Sequence, residues 1–83
     1  MTTTFLLFAQ YETAEIPLEL CCETYFGMSK EHAGRAALRQ QLPAPAFKAG
    51  SSKAQRLIDI RDLAAWIDEQ RAKAQEEWRK VNG

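Results

Sequence analysis

Eighty-three residues suffice for one small domain and are too few for a large core, which excludes a multidomain enzyme at the outset. The composition, 46% hydrophobic and 27% charged, is that of a soluble globular chain, and the longest apolar run, Phe5-Leu6-Leu7-Phe8-Ala9, is far too short for a membrane span. The net charge is zero, so bulk charge points to no polyanionic partner, and any such signal must lie in its distribution.

Residues 2–11 read as a helix or a short strand. Helix is preferred because Leu6-Leu7 and Ala9-Gln10 are better helix formers than strand formers, with Thr2, Thr3 or Thr4 as cap. The three threonines bring no basic n-region and no cleavage site, so no signal peptide is expected and the expected compartment is the cytoplasm. Glu12-Thr13-Ala14-Glu15 is a polar connection.

A helix then starts at Pro17, a residue suited to a first turn where its missing N–H is not needed. Leu18, Cys21, Cys22, Tyr25 and Phe26 recur at i, i+3, i+4, i+7 and i+8, which lines one helical face. Glu19 sits early, where negative charge complements the helix dipole. Gly27 stops the helix, and Ser29 is the natural N-cap of a second one over 30–41, ended by Leu42-Pro43-Ala44-Pro45. Two helices joined by a turn of about three residues form a helix-turn-helix over 17–41. Ala33, Ala36 and Ala37 face inward and let the helices approach. Gly34 costs roughly 1 kcal/mol relative to alanine at mid-helix. It either admits DNA or another helix to the backbone, or is simply tolerated.

Residues 46–48 and 56–58 read as strands flanking a small, polar, glycine-containing tip, so 46–58 is a hairpin. Its place directly after a basic helix favours a wing over a plain surface loop. The last helix covers 60–81, with Asp59 as N-cap, Asp62 in the capping-box position and Ile58 with Leu63 as a hydrophobic staple. Leu63, Trp66, Ile67, Ala74, Trp78 and Val81 form an apolar stripe that thins after Ile67. This helix overshoots so small a domain. Trp78 is expected to meet a second subunit or the N-terminal helix, unless the helix folds back on its own core.

Residues 1–27 carry charge −4, residues 28–56 carry +5, and residues 57–83 carry −1. The basic charge therefore gathers in the second helix and the hairpin, where a phosphate backbone would lie. Adjacent Cys21 and Cys22 do not form a disulfide, and with one distant histidine they make no zinc site; they read as small buried hydrophobes. No phosphate-cradling glycine loop, metal constellation or triad is present, so no catalytic residue, cofactor or metal is expected. His32 has no nucleophile or orienting carboxylate and reads as a polar surface residue or a phosphate contact. Trp66 and Trp78 read as packing residues. Arg35 and Arg39, one turn apart, suit a guanine edge and a phosphate, or equally a solvated basic face.

Gly27-Met28-Ser29-Lys30, Leu42-Pro43-Ala44-Pro45, Arg56-Leu57-Ile58 and Asp62-Leu63-Ala64-Ala65-Trp66-Ile67 follow the order and spacing of excisionase and AlpA-like regulators, winged helix-turn-helix proteins related to the MerR DNA-binding domain. Over nearly its whole length the chain more closely resembles the pyocin activator protein (PrtN) family of short bacterial and prophage regulators. The likeness includes the Phe-Leu-Leu start, the Ile16-Pro17-Leu18-Glu19 entry, the Tyr25-Phe26-Gly27 turn and the Glu77-Trp78-Arg79 end. The chain departs from the excisionase pattern at Gly34, where an aromatic is frequent, at Leu38, where a basic residue is, and at Gln40, where a glycine is.

The resemblance implies one mainly α domain over 1–83 with a small β-hairpin, a winged helix-turn-helix with an N-terminal helix and a long C-terminal one. It implies a transcriptional activator of bacteriocin or prophage genes that binds double-stranded promoter DNA at the bacterial nucleoid. Ser29, Lys30, Glu31, His32, Arg35 and Arg39 would read DNA from the second helix. Lys48, Ser51, Ser52, Lys53 and Arg56 would grip it from the wing. A contact with RNA polymerase is expected, and so is a homodimer or higher homo-oligomer through the C-terminal and N-terminal helices. The alternatives are an architectural factor that bends DNA for recombination, and a protein–protein adaptor on the same fold.

Overall fold

The computed structural model describes residues 2–48, 50 and 55–83. In chain order these form α1 (Thr3–Tyr11), β1 (Glu15–Pro17), α2 (Leu18–Phe26), α3 (Lys30–Leu38), β2 (Phe47–Lys48), β3 (Arg56–Asp59) and α4 (Ile60–Asn82). The class expected from the sequence, mainly α with a helix-turn-helix, a small hairpin and a long last helix, is the fold observed. No helix among the described residues is long and apolar enough to cross a membrane.

The α2–turn–α3 unit is built by the local chemistry that its residues dictate. Gly27 takes a left-handed φ of 66°, and its N–H and that of Met28 both reach the Cys22 carbonyl. Ser29 is extended, and its Oγ accepts from the His32 N–H at 3.2 Å. Cys21, Cys22, Ala33 and Ala37 belong to one buried cluster, so small side chains line the helix–helix contact. Burial pushes the Cys21 thiol up to about 11, with the neighbouring Cys22 adding to the effect.

α3 ends at Leu38, three residues short of the expected Gln41. Arg39 is the C-cap and Gln40 turns into the left-handed region at φ 55°, with the Gln41 N–H reaching back to the Ala36 carbonyl at 2.8 Å. The reversal has a tertiary cause. It brings Leu42 and Ala46 against the core and buries Ala44, which further helical turns would carry away. Gln40 thus occupies the position where glycine is the low-cost residue.

The sheet holds one strand more than the sequence indicates. Its order is β1-β3-β2, antiparallel throughout, with Ile16 opposite Ile58 and Phe47 opposite Leu57. Glu15-Ile16-Pro17 carries too few residues for an alternation to be read; Pro17, expected to open the helix, instead ends the edge strand and stands at the N-cap position of α2 with no side-chain capping bond, the helix beginning at Leu18. Ile16, Ile58 and Leu63 are fully buried and form the centre of the core.

α1 packs on α4 with Leu7 buried and the Thr3 hydroxyl hydrogen-bonded to Asp68. Phe26 meets Trp66 edge to face, with ring centroids 5.1 Å apart. Asp59 caps α4 as expected, accepting from the Arg61 N–H at 2.8 Å. The side chain it holds is Arg61 rather than Asp62: the guanidinium donates to both carboxylate oxygens, at 3.0 and 2.8 Å. These bonds lower the Asp59 pKa to about 2. Twenty-three residues give α4 a length of roughly 35 Å. Every residue from 68 onward is exposed, and the molecule measures 51 × 27 × 16 Å.

Candidate nucleic-acid interface

β2 and β3 place Lys48 directly opposite Arg56. Like charges facing each other across a ladder repel. Side chains alternate along a strand, which puts Arg56 on the same face of the sheet as buried Ile58 and therefore towards the helices. There the two cations line an open cleft of about 290 Å³ with Lys30, the first residue of α3. Cys22 and Ala33 also line it, as do Pro17 and Leu18 at the start of α2; Glu19 supplies its one carboxylate and Gln55 a neutral polar group. Three cations from three elements converge on one concave surface, an arrangement that attracts an anion.

Gly34 forms part of the same cleft. A Cβ built on it meets no heavy atom within 4 Å. The position is therefore not needed for another helix to approach, and its bare backbone faces open space beside Lys30.

Ser29, Lys30, Glu31, His32, Arg35 and Arg39 are all exposed along α3 and its caps. Arg39 is the C-cap residue, and its N–H bonds the Arg35 carbonyl at 3.2 Å. Neither arginine lines the cleft, so α3 offers two basic regions, its first turn at the cleft and its last turn beyond it. Ser29 Oγ is engaged in capping, and Glu31 sits in the first turn where the helix dipole favours a negative charge; both have structural work there. Lys48 is exposed and Arg56 half-buried. Ser51, Ser52 and Lys53 lie outside the described residues.

The sequence reading missed Gln55 and the Pro17–Leu18 corner of the cleft. It also named Lys48 and Arg56 without pairing them. The alternation in Arg56-Leu57-Ile58 carried a signal that Arg56 shares the face of a core residue, but the register to Lys48 depends on the hairpin and is not local.

The chain is a helix-turn-helix backed by a three-stranded sheet, with cations gathered where helix and hairpin meet. The family model described as pyocin activator protein PrtN matches residues 3–74, and the chain belongs to that family. It is thereby a regulator of the pyocin-activator class. Comparison with curated proteins and with solved structures gives no significant match.

Proposed function

We propose that the protein is a sequence-specific, DNA-binding transcriptional activator of pyocin-like bacteriocin or prophage genes. The observation that carries this reading is the Lys48–Arg56 pair, set opposite each other in the sheet and joined by Lys30 across one cleft. A phosphate backbone supplies the anion such a group calls for. In this reading the exposed side chains of α3, Arg35, Arg39 and His32 among them, enter the major groove of promoter DNA. Lys48 and Arg56, with Ser51, Ser52 and Lys53 of the hairpin tip, hold the flanking phosphates. Ser29 and Glu31 position the first turn of α3 against the backbone. One small domain reads a short site, so the protein acts as a homo-oligomer, through its C-terminal and N-terminal helices, on repeated half-sites. It works without metal or cofactor, in the cytoplasm at the nucleoid, and passes its signal to RNA polymerase by direct contact.

Genome-wide mapping of bound DNA supplies the operator, and titration of that operator across salt tests the interface. Affinity should fall steeply with salt, and Lys48→Ala should lower the slope of log K against log salt by about one. Arg35→Ala should relax discrimination between operator and mutated operator by about 1–3 kcal/mol. Binding indifferent to salt, or equal losses on every sequence for both variants, overturns the assignment. Transcription from a promoter carrying the operator separates activation from DNA bending for recombination.

A further inference from the structure

We infer that two copies of the chain pair through antiparallel α4 helices, with Ala74 on the two-fold axis. The C-terminal end of each copy then enters the groove between α1 and α4 of the other. This deepens the oligomeric part of the proposed function and is independent of DNA binding.

Surface area gives the first argument. The chain exposes 5955 Å², whereas the size scaling of compact monomers gives roughly 5,000 Å² for its 9.4 kDa. The excess is on the order of 900 Å², close to the ~800 Å² that each partner buries in a standard interface. The far end of α4 contributes to it: Trp78 is 63% exposed and Val81 84%. The radius of gyration, 14.3 Å against roughly 12 Å for a compact chain of this length, says the same.

The shape of that region gives the second. One shallow groove runs between α1 and α4, lined by Leu6, Leu7, Tyr25, Ile67 and Arg71. Another runs along α4 past Arg71, Ala74 and Trp78. They share Arg71, so Ile67, Arg71, Ala74, Trp78 and Val81 trace one stripe at i, i+4, i+7, i+11 and i+14. Alanine at its middle lets two helix axes close on each other.

The charge pattern selects the occupant. In an antiparallel pair centred on Ala74, residue 74−n of one copy stands level with residue 74+n of the other. On one flank of that seam Lys73 of one copy comes beside Glu77 of the other, about 3 Å apart along the axis, while Ile67 is level with Val81. Arg71 also comes beside Trp78 of the other copy, suited to a cation–π contact. A parallel pair would instead set every charge against itself. Within one copy the ion pairs of this segment, Arg71–Asp68 at 3.8 Å, Lys73–Glu69 at 3.7 Å and Lys80–Glu76 at 3.8 Å, are exposed and weak.

Sedimentation equilibrium of the full chain without DNA is the direct test, with disulfide trapping for the geometry. A dimer is expected. Trp78→Ser and Ala74→Glu should each raise its dissociation constant at least about thirtyfold, the effect of losing an interface anchor, with helicity by circular dichroism retained because both residues are exposed. Under mild oxidation, Gln70→Cys mixed with Glu77→Cys should give a crossed disulfide. Glu77→Cys alone should not, because its two copies stand about 9 Å apart along the axis. A chain that stays monomeric at about 100 µM, or Glu77→Cys linking to itself more readily than to Gln70→Cys, overturns the inference. Loss of DNA binding with the dimer intact would instead count against the DNA reading alone.

Discussion

Gly34→Ala separates folding from binding, because the two should move in opposite directions. Gly34 lies inside α3 and forms part of the cleft with Lys30, Lys48 and Arg56. Alanine there gains about 0.8–1.0 kcal/mol of helix propensity. No steric term offsets the gain, since the new methyl has no heavy atom within 4 Å. For a domain of this size that is a rise in midpoint temperature of roughly 4–8 °C. The same methyl stands where a phosphate would come up to the α3 backbone. Holding a phosphate oxygen away from the neighbouring Lys30 ammonium should cost about one charge-assisted hydrogen bond, or roughly tenfold in operator affinity. Urea denaturation reads the first effect and fluorescence anisotropy at fixed salt the second. Protein concentration must be held constant, because self-association makes the apparent stability depend on it. A destabilised variant would refute the claim that the position is open. A stabilised variant with unchanged affinity would show that the duplex does not reach the cleft beside Lys30.

Further substitutions probe single features of the fold. Gln40→Gly relieves a left-handed residue at φ 55° and should stabilise by about 1 kcal/mol in urea denaturation; a loss would mean the Gln40 side chain outweighs its backbone strain. Asp59→Ala removes the α4 cap and should cost about 1–2 kcal/mol at neutral pH. The folded Asp59 titrates at about 2 rather than 3.8, held down by Arg61, so its contribution is complete above about pH 4 and disappears as pH falls towards 2. Denaturation curves of parent and variant should therefore converge over that interval, and a gap independent of pH would argue against the Arg61 clamp. Cys21 and Cys22 are fully buried, and the Cys21 thiol titrates near 11. Alkylation at pH 8 should accordingly proceed only on unfolding, followed by mass spectrometry; rapid labelling of the native protein would contradict the packing of α2 on α3.

What the chain determined without help from its fold is the chemistry of its ends and turns. Gly27 and Ser29 define the helix-turn-helix, and Asp59 starts α4, because a cap is satisfied by backbone groups two to six residues away. The inward alanines of α3 and the stripe on α2 follow from a period that is likewise local. The family resemblance rested on these same motifs and their spacing. The tertiary structure decided the rest. It made Glu15-Ile16-Pro17 a strand by setting it beside β3, and it stopped α3 at Leu38 so that Ala44 could be buried. It also set Lys48 against Arg56 and brought both to Lys30. Each of these depends on a pairing or a burial between residues distant in sequence, whose energy exists only once the sheet and core have formed. A reading along the chain could name the cations but could not say which of them would share a surface.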